Sequence, residues 1–151
     1  MVPPLEIPDF VGHFKPNKTR AQRIRITVGK LGDMALIGHL DFARLMDRAI
    51  RRASLPIAFT GGFHPGPRIS PANALPLGIT STGELIDFDV TQEMSVDDFT
   101  ATLQAQLPEN VLIYSAESVS LQMPSTTKSL DKAKYVLALS VVTYADATHF
   151  L

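Results

Sequence analysis

From Gly38 to Gly78 the chain strings together an amphipathic helix, a loop dense in glycine and proline, and an apolar run. That order limits the fold more than any other feature. The helix opens at Gly38-His39-Leu40-Asp41, where an acid suits the positive end of the helix dipole. At about 100° per residue, Phe42, Leu45, Met46, Ala49 and Ala53 fall on one side. Arg44, Arg48, Arg51 and Arg52 fall on the other, and Pro56 ends the helix. In the loop Thr60–Pro67, Gly61-Gly62 permits positive φ while Pro65 and Pro67 stiffen its second half. Ile69–Leu77 is apolar but holds Pro71 and Pro76, which argues against a regular central strand.

The flanking segments supply a sheet. RIRITVGK at 23–30 alternates charged and apolar residues, a half-buried strand with Arg23 and Arg25 on a basic outer face. Leu31-Gly32-Asp33 reads as a turn into a second strand, Met34–Ile37, making a hairpin. ELIDFDVT at 84–91 is a strand with Glu84, Asp87 and Asp89 near its exposed side. Ser95 is a helix N-cap, Asp97 and Asp98 favour the first turn, and that helix runs to about Gln106. Val111–Ser120 is a strand, Gln122–Ser129 a polar loop and Ala133–Val142 a further strand. Ala145–Leu151 reads as a helix cut after one turn, which predicts that the domain continues.

The expected class is α+β, an antiparallel or mixed sheet with two main helices on one face. Dropping the first strand leaves an order that opens β-α-β-β-α-β, so the reading is a ferredoxin-like core preceded by a hairpin strand. Residues 1–22, with four prolines, read as an extended leader or linker carrying Phe10, Val11 and Phe14, and residues 23–151 as one domain.

The absence of cysteine excludes disulfides, thiolate catalysis and an iron–sulfur cluster held by this chain. No apolar run reaches the roughly 20 residues of a membrane span, and the N-terminus lacks a secretory pattern. The expected location is therefore cytoplasmic. His13, His39, His64 and His149 show no metal-ligand spacing, no serine sits in a nucleophile elbow, and no cofactor is expected.

Charge is the functional clue. Net charge is −1, yet residues 15–68 carry eleven Lys and Arg against Asp33, Asp41 and Asp47. Residues 69–151 carry ten acids against three lysines. A basic half admits two readings: a polyanion-facing surface, or two halves that neutralise each other in the fold. The stripe Arg44, Arg48, Arg51 and Arg52 offers planar forks suited to phosphate, or a solvated face paired with Asp47 or the 84–89 acids. In the loop, Phe63 and His64 can stack on a base and Arg68 can neutralise an anion. The plainer alternative is a rigid connection with Phe63 plugging the core. His39 at the helix start can cap it or bind an anion. A loop folded back on the helix would gather Arg48, Arg51, Arg52 and Arg68 into one cluster with His64 at its edge.

Three pieces carry a resemblance: GHLDFARLMDRAIRRASLP at 38–56, GGFHPGPRIS at 61–70 and ALPLGITSTGELIDFDV at 74–90. The span from about Arg23 to Ser120 resembles an uncharacterised bacterial family, the radical-SAM-linked domain of unknown function. Its members occur beside, or fused to the C-terminus of, radical-SAM proteins with a cobalamin-binding-type region. Gly38 stands where relatives often have Ser, and His64 and Gly66 where they have Asn and His. The resemblance implies an accessory, non-catalytic domain that serves a radical-SAM partner acting on RNA, such as tRNA or rRNA, or on a translation component. The alternatives are a protein-interaction module docking that partner, or an enzyme holding a small anionic substrate in the Gly/Pro loop.

Overall fold

The computed structural model describes residues 15–139. Four strands form one antiparallel sheet: β1 (Gln22–Lys30), β2 (Ile69–Pro71), β3 (Ser81–Val90) and β4 (Val111–Val119). Two main helices, α1 (His39–Arg52) and α2 (Val96–Gln104), and a single turn, α3 (Thr126–Ser129), complete an α+β fold. The spatial order is β2-β3-β1-β4.

Alternation along the two central strands builds the core. Ile24, Ile26 and Val28 of β1 and Ile86, Phe88 and Val90 of β3 turn to one face and are almost fully buried. Onto that face α1 lays Phe42, Met46, Ala49 and Ile50, and α2 lays Phe99 and Leu103. Phe88 and Phe99 meet with ring centroids 5.4 Å apart, tilted by 59°. Both main helices therefore share one side of the sheet.

The α1 stripe is rotated from the expected one. Ile50 is buried, whereas Leu45 is half-buried. Centred on Phe42, Met46, Ala49 and Ile50, the stripe leaves Leu45 roughly 85° off its axis. The helix ends in a Schellman turn: Leu55 N–H donates to Ile50 C=O at 3.1 Å and Ser54 N–H to Arg51 C=O at 3.1 Å. Ser54 takes the left-handed conformation there, with φ of 52°. At the head of α2, Ser95 Oγ accepts from Asp98 N–H at 3.4 Å, the expected cap.

Met34–Ile37 is not a strand. Gly32–Leu36 winds into a 3-10 helix, with Gly32 at φ of 52° and Met34 N–H bonded to Leu31 C=O at 3.0 Å. Without that hairpin, β1 is no preface to the core but one of its two central strands. Residues 131–139 adopt no regular structure, so the expected strand at Ala133–Val142 is not formed over its described part. The remainder of that strand, the helix at Ala145–Leu151, and Phe10, Val11 and Phe14 lie outside the described residues. Within 122–129, expected to be loop, α3 forms.

The sheet edges differ. β2 is only three residues long and carries Pro71, tolerated because an edge position needs no outward donor. On β4 the Gln104 side chain stands in for a strand. Its Nε2 donates to Val111 C=O at 3.0 Å, and its Oε1 accepts from Ile113 N–H at 2.7 Å.

Candidate functional site

The sheet face away from the main helices carries buried ion pairs. Register pairs Arg23 with Asp89 and Arg25 with Asp87 across β1 and β3. Arg25 reaches Asp87 through Nε to Oδ1 at 2.8 Å and Nη2 to Oδ2 at 3.0 Å. Arg23 reaches Asp89 through Nε to Oδ1 at 2.7 Å, and Arg20 Nε adds a contact to Oδ2 at 2.6 Å. Asp87 and Asp89 are 2% and 4% exposed, so neither the basic nor the acidic face is solvated as expected. These hydrogen bonds, ahead of Coulomb attraction, push both arginines above their ordinary range. The chain after β4 crosses this face: Arg23 Nη1 donates to Met123 C=O at 3.1 Å, and buried Thr126 donates to Ser70 C=O at 3.1 Å.

Arg68 belongs to the same face. Ile69 pairs with Phe88 on the core side, so Arg68 turns the other way, beside Asp89, whose N–H its carbonyl accepts at 3.2 Å. Its Nε is buried without a hydrogen-bond partner among the described residues. Arg68 is thus separated by the sheet from the arginines of α1, and the expected single cluster does not form.

On the outer surface of α1, Arg44 pairs with Asp41 at 3.2 Å and Arg51 with Asp47 at 3.0 Å. Arg52 Nη2 donates to Gln106 C=O at 2.7 Å. Arg48 is exposed and makes no ion pair or hydrogen bond with the described residues. Phe63 and His64 are exposed at the tip of the Gly/Pro loop; Phe63, fully exposed, plugs no core. Thr60 and Gly66 close that loop, with Thr60 N–H to Gly66 C=O at 2.8 Å and Gly66 N–H to Thr60 Oγ1 at 3.0 Å.

His39, the first residue of α1, sits at a concave site instead. Between α1 and β2 runs a groove of about 290 Å³. Leu40, Ala43, Arg44 and Asp47 line one wall, Pro67, Ile69 and Pro71 the other, with Phe42, Met46 and Ile86 below. Its surface is mainly apolar, and Leu40 is 69% exposed. Leu36 and Leu77 are also exposed, on two segments tied by Gly78 N–H to Ala35 C=O at 2.6 Å. At the groove's end lies a recess of about 10 Å³, lined by Lys30, His39, Asn73 and Glu84.

Lys30 lines this recess without standing out in the sequence, where it reads as the polar end of a strand. It is 1% exposed, donates to Ile37 C=O at 2.6 Å and lies 5.8 Å from the Phe42 ring centroid. The available signal is its parity: Lys30 continues the inward series Ile26, Val28. Among the described residues no three His, Asp or Glu side chains are grouped to hold a metal ion, and no helix is long and apolar enough to cross a membrane.

Fold and surface together define a small antiparallel α+β domain with an apolar groove beside one sheet edge and a row of arginines on the adjoining helix. Residues 23–150 match the family described as an uncharacterised protein conserved in bacteria (DUF2344), and the chain belongs to that family. No curated protein matches the chain.

Proposed function

We propose that this chain is an accessory, non-catalytic domain that docks a radical-SAM protein, as a neighbour or within one polypeptide, through the groove between α1 and β2. The carrying observation is that groove: an apolar channel edged by exposed Leu40 and left open by the described residues. Exposed apolar surface costs free energy in water, and concentrated apolar patches mark interaction sites. The radical-SAM partner comes from the resemblance. Co-expression with the adjacent radical-SAM protein, followed by size-exclusion chromatography, tests it. Leu40→Asp and Ala43→Glu place charge in the groove and should abolish co-elution, while Arg48→Glu should not.

A second reading, presentation of tRNA, rRNA or a translation-related substrate to that partner, is favoured by the exposed guanidiniums along α1. Exposed ion pairs such as Arg51–Asp47 are weak, typically under about 1 kcal/mol, and yield to phosphate. Phosphate-driven binding must fall linearly on a log–log salt plot, and Arg48→Ala must flatten the slope. Salt-independent binding, or none, removes this reading.

A further inference from the structure

Lys30 is a buried ammonium without a carboxylate in ion-pair contact among the described residues. Its surroundings are one carbonyl, the face of Phe42 and the recess. Burying a cation on such terms is costly unless something completes its shell. Glu84 lines the same recess. Its register partner is Val28, so it faces the helix side of the sheet, away from Asp87 and Asp89. His39 and Asn73 complete the polar wall.

The recess adjoins the groove, sharing His39, Phe42, Pro71 and Ile86 with it. A polar end on an apolar channel selects a ligand with a polar tip on an apolar body. Charge and size narrow the tip. An ammonium is repelled by Lys30 and a carboxylate by Glu84. A carboxamide could accept from one and donate to the other, but about 10 Å³ takes a single water-sized group. A hydroxyl fits both limits: it accepts from Lys30 Nζ and donates to the Glu84 carboxylate.

We infer that the recess receives the hydroxyl of a tyrosine from the docking partner, with the ring lying in the groove. This rests on the docking reading above and names the side chain that anchors it. Tyrosine combines a large apolar body with a polar tip, which suits a site built in this way. No covalent bond is made or broken; the hydroxyl makes two hydrogen bonds.

The test is an NMR titration of the full ¹⁵N-labelled chain with N-acetyl-tyrosinamide and N-acetyl-phenylalaninamide. Tyrosinamide should shift the Lys30, His39 and Ile86 amides and bind at least about tenfold tighter than phenylalaninamide, the least that hydrogen bonds to charged groups contribute. Lys30→Met should bring the two dissociation constants together. Glu84→Met, on a half-exposed side chain, should do the same if the first variant folds poorly. Equal affinity for both amides in the wild type, or a preference that survives in these variants, overturns the inference. If neither amide shifts the groove while Leu40→Asp still abolishes co-elution, docking stands and tyrosine falls. If Leu40→Asp leaves co-elution intact, docking itself falls.

Discussion

Arg25 grips Asp87 through two parallel hydrogen bonds, 2.8 and 3.0 Å long, on the sheet face turned away from the main helices. Beside them Asp89 holds both Arg23 and Arg20. Part of the apparent charge segregation in the sequence is neutralised here, between a basic strand and an acidic strand in register. Removing one member of a buried pair strands the other, at a cost of about 3–5 kcal/mol. Asp89→Ala should therefore destabilise by that amount in urea melts, because it abandons two guanidiniums. Asp47→Ala, on the exposed Arg51 pair, should cost under about 1 kcal/mol.

The same pairs set a pH dependence. Arg23 and Arg25 have pKa values raised on folding, so their stabilisation is fully present below the unfolded value and is lost only as pH climbs through the raised folded ones. The destabilisation caused by Arg25→Met should then stay constant between about pH 7 and 10. Urea midpoints of wild type and variant across that range check it; a gap that closes by about pH 9 would mean the pair is not held as described.

Packing of α1 yields a contrast between neighbours. Ile50 is 3% exposed, and Ile50→Ala should cost about 2–5 kcal/mol. Leu45→Ala removes a half-buried side chain and should cost distinctly less. Equal losses would place the helix in a different rotation.

Both ends of α1 can be improved. Ser54 occupies a left-handed position that glycine takes freely, so Ser54→Gly should stabilise by up to about 1 kcal/mol. Gly38 is the N-cap, without a side-chain cap, and a Cβ added there would meet nothing within 4 Å. Gly38→Ser should add a few tenths of a kcal/mol by capping the first turn. Thermal melts of the single and double variants measure both.

Much of the fold is legible in the residues, and the exceptions have identifiable causes. Alternation in RIRITVGK and ELIDFDVT marks the central strands, and the charge-apolar split of 39–53 marks α1. Alternation assigns parity but not what lies beyond each face. Arg23, Arg25, Asp87 and Asp89 therefore read as solvated until the register brings them together and residues 120–129 cross over them. Met34–Ile37 looks extended because so short a run holds too little periodicity to tell a strand from one tight turn. The proposed site is less legible still. His39 stands out at the helix start, but Lys30 and Glu84 are far apart in sequence and meet at one recess only through the pairing of β1 with β3. Arg68 follows a loop that suggests folding back toward α1, yet one residue of strand parity sends it to the opposite face.

The proposed docking meets its most direct test in hydrogen–deuterium exchange of the chain alone and with the proposed radical-SAM partner. Complex formation should slow exchange at residues 39–47 and 67–71, the two walls of the groove, and leave the Gly/Pro loop tip at 61–64 unchanged. Protection absent from both walls in a formed complex, or confined to the loop tip, would contradict the assignment of that groove as the docking surface.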